Sequence, residues 1–265
     1  MTSFTALRLP PRPARFRALQ LADTPGTGCT ILSGMVHLVL IRHGESDANA
    51  AGLLAGRIPG VDLTAAGRAQ IRDLAGMLPF PHIAALRCSP LLRCQQTAAE
   101  LQAIIGPIDE REDDGLAEID YGEWSGQPLA ELKKLSAWTE VAESPSTVVF
   151  PGGESMQAAA IRGVAAAEAF VAELRRLAPS TPASGADTSG EQPAIAGIIV
   201  SHGDIIKAIL ADALACPLDR FQRISVAPGS FSVIAYPGDG HPVVSAMSVT
   251  AGGRVAASPD LGGGR

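Results

Sequence analysis

The stretch Val36-His37-Leu38-Val39-Leu40-Ile41-Arg42-His43-Gly44-Glu45-Ser46 decides the fold. Residues 36–41 are a short, nearly continuous apolar run, the pattern of a strand buried on both faces of a parallel sheet. Gly44 lets the backbone turn sharply where the strand ends, and leaves Arg42 and His43 at its carboxyl edge. A second stretch has the same layout: the apolar run 195–200 is followed by Ser201-His202-Gly203-Asp204.

Between and around these runs the pattern alternates. Residues 64–78 read as a helix, with Thr64 as N-cap and Ala66, Ile71, Leu74 and Leu78 apolar. Residues 83–86 read as a strand, and Ser89-Pro90 as the opening of a helix that runs to about 104, with Ser89 as its cap. Residues 110–127 are loop-like and acidic. A long helix is expected over 154–177 with Ile161, Val164, Val171 and Leu174 on its buried stripe. A helix follows at 204–214, and two strands at 230–236 and 243–249. Such alternation predicts an α/β protein: a three-layer α/β/α sandwich around a mostly parallel sheet. In that architecture ligands bind beyond the carboxyl ends of the strands.

The flanks differ in composition. Residues 1–34 carry Pro10, Pro11 and Pro13 and no acid before Asp23. They read as an N-terminal extension, either disordered or the product of a start codon placed too early, with Met35 as the alternative start. A signal peptide is not expected, because no apolar core follows the basic residues. One domain is expected over 35–250, with a flexible loop at 179–193 and a flexible tail at 251–265.

Composition narrows the function. The 265 residues carry a formal charge of −6, which argues against a dedicated nucleic-acid binder. No apolar run approaches the length of a membrane span. Cys29, Cys88, Cys94 and Cys216 show no paired spacing, which excludes a disulfide scaffold and a standard zinc site and suits a reducing cytoplasm.

By the layout past the strand ends, two histidines and two arginines are expected to converge on one rim of the sheet, with Arg93 one turn into the neighbouring helix. This set suits phosphoryl transfer. Arginine offers a planar fork of donors that matches phosphate oxygens, and helix N-termini add a positive dipole end. A neutral imidazole is a competent nucleophile when one nitrogen is held as donor and the other is left free. Other phosphoryl machinery is missing: there is no GxxxxGK[ST] loop and no Asp-x-Asp pair. Cys88 and Arg93 are separated by four residues, one short of a Cys-x5-Arg loop. GxSxG is absent too.

Taken together the motifs resemble the histidine phosphatase superfamily, also called phosphoglycerate-mutase-like. They are LIRHGES at 40–46 with Asn49, Gly56-Arg57, Asp62-Leu63-Thr64, SPLLRCQQTA at 89–98, LAEIDYGEWSG at 116–126, PGGES at 151–155 with Arg162, and VSHGD at 200–204. Each is weak alone; their joint occurrence in the family order is specific.

The resemblance implies that His43 is the nucleophile that becomes phosphohistidine. Arg42, Arg93 and His202 would hold the phosphate, with Asn49 as a further donor, and His202 would be protonated beside so negative a group. Glu118 would give a proton to the leaving oxygen and then act as base for water. No metal and no other cofactor is expected. Arg57 and Ser46 are further substrate-binding candidates; Arg57 either touches substrate or is solvated, and Ser46 either binds substrate or caps the next helix. Glu154 and Arg162 read either as an ion pair bracing the site or as a solvated face.

The superfamily holds both phosphatases and mutases. A mutase must hold a doubly phosphorylated intermediate under a cationic lid. Residues 119–150 contain only Lys133 and Lys134 against Asp120, Glu123, Glu131, Glu140 and Glu143. Such a lid repels a bisphosphate. The expectation is a metal-independent phosphomonoester hydrolase acting on a small phosphorylated metabolite, with no nucleic-acid or membrane partner. Phosphoglycerate-mutase-type transfer is the alternative, and a non-catalytic phospho-ligand binder on the same fold is the third reading.

Overall fold

The computed structural model describes residues 35–178, 194–238 and 240–252. The expectations for 1–34, for 179–193 and for the tail beyond 252 lie outside the described residues. Among the described residues six strands form one sheet: β1 Val36–Arg42, β2 Ala85–Cys88, β3 Glu110–Glu112, β4 Ile195–Ser201, β5 Ser230–Tyr236 and β6 Val243–Thr250, in the order β3-β2-β4-β1-β5-β6. The pairs β3–β2, β2–β4 and β4–β1 are parallel, and β1–β5 and β5–β6 are antiparallel. Only β5 therefore runs against the other strands, so the expected mostly parallel sheet is present.

Helices cover both faces. They are α1 Asp47–Ala50, α2 Ala65–Ala75, α3 Leu92–Ile105, α4 Leu129–Leu132, α5 Ser136–Glu143, α6 Met156–Leu177 and α7 Gly203–Ala213. Side chains of a strand alternate between faces. Val39 and Ile41 of β1 accordingly pack with Ile71 and Leu74 of α2 and Leu101 of α3. Leu38 and Leu40 pack on the other side with Phe170 and Leu174 of α6 and Ile206 and Leu210 of α7. These two clusters are the two cores of an α/β/α sandwich. No helix among the described residues is long and apolar enough to cross a membrane.

The structure corrects several local expectations. The strand expected at 83–86 lies at Ala85–Cys88, because its parallel pairing with Gly197–Val200 of β4 continues to Cys88. Arg87 is thus inside the strand and faces α6, where it pairs with Glu173. Within the acidic segment 110–127, Glu110–Glu112 forms the edge strand β3, all three residues exposed. Charge on an edge strand discourages further pairing, and it hides the strand from an apolar-run search. The cap of α3 is Leu91, without a side-chain bond, rather than Ser89. In α6, Ile161 is 51% exposed, and the buried stripe is Gly163, Ala167, Phe170, Val171 and Leu174. Gly163 on that stripe leaves room for Ile205 of α7, a contact that a search for large apolar residues overlooks.

α6 approaches the sheet closely at Gly197 of β4. A Cβ there would stand 2.6 Å from Leu174 Cδ1 and 2.8 Å from Phe170 Cζ. Gly197→Val is expected to destabilise the protein by about 1–3 kcal/mol through overpacking, read as a lower melting temperature; an unchanged melting temperature would show that α6 can lift without cost.

Candidate active site

The register of β1 on β4 pairs Arg42 with Ser201, and the amide of His43 continues the ladder to the Ser201 carbonyl at 3.1 Å. The residues just past both strand ends are therefore neighbours, and the imidazole centroids of His43 and His202 lie 5.2 Å apart. The register of β2 on β4 pairs Cys88 with Val200, and Ser89 donates its amide to the Val200 carbonyl. This sets Ser89 next to His202.

His43 Nδ1 lies 2.8 Å from the Gly44 carbonyl. A carbonyl only accepts, so Nδ1 carries the hydrogen and Nε2 keeps its lone pair. Arg93 Nε donates to that Nε2 at 3.2 Å, and Arg93 Nη2 donates to His202 Nδ1 at 3.1 Å and to the Gly56 carbonyl at 2.8 Å. With Nδ1 accepting, His202 Nε2 carries the hydrogen and donates to Ser89 Oγ at 2.7 Å. Ser89 thus orients the second histidine instead of capping α3. Burial, then Arg93, lowers both histidines well below their ordinary range, so each imidazole is neutral here. The arginine fork spans the two rings, and Arg93 Nη1 is buried without a hydrogen-bond partner. Arg42 is also buried and donates from Nη1 to the Val226 carbonyl at 2.6 Å.

The loop that carries His43 is seated by glycine. A Cβ on Gly44 would meet the Gly67 carbonyl oxygen at 2.5 Å, and one on Gly67 would meet the Glu45 carbonyl oxygen at 2.0 Å. The start of α2 therefore rests directly on the loop backbone. Thr64 caps α2 as expected, accepting from the Gly67 amide at 2.9 Å.

Glu118 is 7% exposed and its Oε1 accepts the Ile119 amide at 3.0 Å. Burial and then the nearby Asp204 carboxylate raise its pKa to about 7, against the pull of Arg93 and Arg42. Its backbone is clamped. Arg162 of α6 donates to the carbonyls of Gly115 at 2.9 Å, Ala117 at 2.5 Å and Glu118 at 3.0 Å. Arg57 Nε reaches the same Glu118 carbonyl at 2.8 Å. Glu154 joins the two arginines, its Oε1 lying 2.7 Å from Arg57 Nη2 and 2.6 Å from Arg162 Nη2, and also accepts the Asp120 amide. Burial pushes Glu154 up, but the two arginines and that amide outweigh it and hold its carboxyl below the usual range.

The remaining candidates occupy defined places. Ser46 caps α1, and Asn49 Oδ1 accepts from the Ser46 amide and hydroxyl in a reciprocal capping box. Arg57 is tied to the Glu118 loop as described. Among the described residues no group of three or more His, Cys, Asp or Glu is arranged to hold a metal. Sequence reading assigned no role to Ser89 toward His202 or to Asp204; the available signal was a polar residue directly beyond a buried strand, next to the His-Gly pair.

Residues 38–249 match the histidine phosphatase superfamily, branch 1. Phosphoserine phosphatase 1 of Hydrogenobacter thermophilus is 30% identical over 202 residues, covering 76% of this chain and 86% of that protein. Glucosyl-3-phosphoglycerate phosphatase of Mycobacterium tuberculosis is 29% identical over 188 residues, covering 71% and 79%. The solved structure of Bacillus stearothermophilus YhfR matches with a TM-score of 0.67 at 24% identity, covering 80% of this chain and 96% of that one. The chain belongs to the histidine phosphatase superfamily, an enzyme of the phosphatase type on the phosphoglycerate-mutase-like α/β fold.

Arg162→Ala removes the donor from three carbonyls of the Glu118 loop. It is expected to cost about 1–3 kcal/mol in unfolding free energy and to lower kcat more than it changes KM. A folded variant with wild-type kcat would show that the clamp does not set the position of Glu118.

Proposed function

We propose that this chain is a metal-independent phosphomonoesterase that works through a phosphohistidine on His43. One observation carries the reading: the Gly44 carbonyl fixes the His43 hydrogen on Nδ1, so Nε2 faces the Arg93 fork with its lone pair available. An incoming phosphate replaces the imidazoles as partner of that fork, and the unpartnered Arg93 Nη1 supplies one more donor. Arg42 and the positive end of α7, whose N-cap is His202, add to the field. The dianion also reverses the balance at His202, favouring the protonated form that these arginines suppress.

In the first step His43 Nε2 attacks phosphorus in line and the bond to the leaving oxygen breaks. Glu118 passes its proton to that oxygen. In the second step water attacks the phosphohistidine, the Glu118 carboxylate takes a proton from it, and the nitrogen–phosphorus bond breaks to release inorganic phosphate. Little covalent work is asked of the other residues; they position and neutralise charge. We assign Asn49 to the phosphate shell, and Ser46 and Arg57 to bracing the loops that carry His43 and Glu118.

Hydrolysis is favoured over mutase transfer by the acidic segment 119–150 and by the relatives, which are named as phosphatases. The substrate class is a small phosphorylated metabolite, in line with the phosphoserine and glucosyl-3-phosphoglycerate in those names.

Phosphate release from a panel of phosphomonoesters in EDTA, with His43→Ala alongside, tests the reading. Release is expected to persist in EDTA and to vanish in the variant together with acid-labile phosphoprotein. Isomerisation of 3-phosphoglycerate without release would make the chain a mutase; near-wild-type turnover by His43→Ala would remove His43 as nucleophile.

The raised Glu118 carboxyl gives a second check. The proton donor is present below its pKa and lost above it, so kcat/KM on an alkyl phosphate should be maintained below about pH 7 and fall above it. A profile flat to pH 9 would show that Glu118 is not the acid.

A further inference from the structure

Asp204 stands in the first turn of α7, a helix buried along most of its length, and is 3% exposed. Both its oxygens have partners. Tyr121 Oη donates to Oδ2 at 2.8 Å, and Lys207 Nζ donates to Oδ1 at 3.1 Å. Lys207 gives another hydrogen to Gln222 Oε1 at 3.0 Å. Burial pushes Asp204 up, but Lys207 and the Tyr121 hydroxyl outweigh it and keep it ionised below the usual carboxylate range.

Stability alone is a poor reason for this cluster. A buried ion pair replaced by well-packed apolar groups is often neutral or better, and Ile205, Ile206, Ile209 and Leu210 around it are apolar. Its placement is informative. Tyr121 lies three residues after Glu118, so its bond to Asp204 fastens the Glu118 loop to the helix that begins at His202. The same carboxylate acts electrostatically on both Glu118 and Arg42.

We propose that Asp204 is a positioning residue for proton transfer: through its hydrogen bond with Tyr121 it fixes the loop from which Glu118 gives its proton to the leaving oxygen. The proposal rests on the reading of Glu118 as the general acid. The groups that act on Glu118 are the charges of Asp204 on α7, Arg93 on α3 and Arg42 at the end of β1, and the Ile119 amide of its own loop. Asp204 in turn faces Lys207, Tyr121 and Arg42. The arginines and the amide favour the Glu118 carboxylate; burial and Asp204 favour the acid and prevail. Removing the Asp204 charge therefore lets Glu118 lose its proton at lower pH.

The test compares kcat/KM against pH for wild type, Asp204→Asn, Tyr121→Phe and Glu118→Gln. The two substrates are β-glycerophosphate, whose alkoxide needs a proton to leave, and p-nitrophenyl phosphate, whose phenolate does not. For Asp204→Asn the alkaline limb on β-glycerophosphate should move to lower pH by about one unit, a tenfold selective loss at pH 8, with p-nitrophenyl phosphate much less affected. Tyr121→Phe keeps the charge, so its limb should stay in place while kcat falls several-fold on β-glycerophosphate alone. A folded Asp204→Asn with an unmoved limb and no loss on β-glycerophosphate, or with equal losses on both esters, overturns the proposal. Should Asp204→Asn fail to fold, Tyr121→Phe decides: no loss, or equal losses on both esters, overturns the tether. Glu118→Gln separates the two levels, since wild-type hydrolysis of β-glycerophosphate by that variant would overturn the Glu118 reading itself.

Discussion

The parallel pairing of β1 with β4 is the constraint on which the site depends. It matches Arg42 to Ser201, so the chain leaves both strands at the same level and sets His43 beside His202. A shift of one residue would turn one histidine to the opposite face, because side chains alternate along a strand. Register is protected by the two cores: Val39 and Ile41 belong to one and Leu38 and Leu40 to the other, so a slip would displace both. Packing of ordinary aliphatic residues thus fixes the spacing of the two histidines.

Electrostatics is the second constraint. Arg42, Arg93, His43 and His202 are all buried within one cluster. Neutral histidines between two arginines lessen the repulsion such a cluster would otherwise carry, and backbone carbonyls of Gly56 and Val226 satisfy part of the guanidinium donors. A phosphate dianion is complementary to what remains. Negative charge on the other side, at Glu118 and Asp204, is divided so that one carboxyl favours the acid and the other stays ionised. Two carboxyl groups in different environments can hold different protonation states at one pH, the usual basis for acid–base work.

A third feature is how backbone is held against backbone. Gly122 and Gly153 bring two loops so close that a Cβ on Gly122 would meet the Pro151 carbonyl oxygen at 2.1 Å. This contact docks the loop after Glu118 onto the turn before α6, where Glu154 and Arg162 complete the clamp. The Tyr-Gly and Pro-Gly-Gly motifs are therefore two halves of one junction that is distant in sequence.

By itself the sequence determined the buried strands at 36–41 and 195–200, the cap at Thr64 and the α/β class, and it singled out His43, Arg93 and His202, which the fold brings together. Apolar runs, capping side chains and Arg-His-Gly strings are local patterns, and local patterns are legible. Tertiary structure decided the rest. The extent of β2 depends on its pairing with β4, and β3 is a strand only because β2 lies beside it. The stripe of α6 depends on Gly197 of β4, which leaves room for Phe170 and Leu174. Ser89 serves His202, Arg162 holds the Glu118 loop and Asp204 holds Tyr121 because residues 44 to 113 positions apart are brought together. Hydrogen bonds and charge–charge energies depend on distance in space, which the order of residues along the chain does not contain.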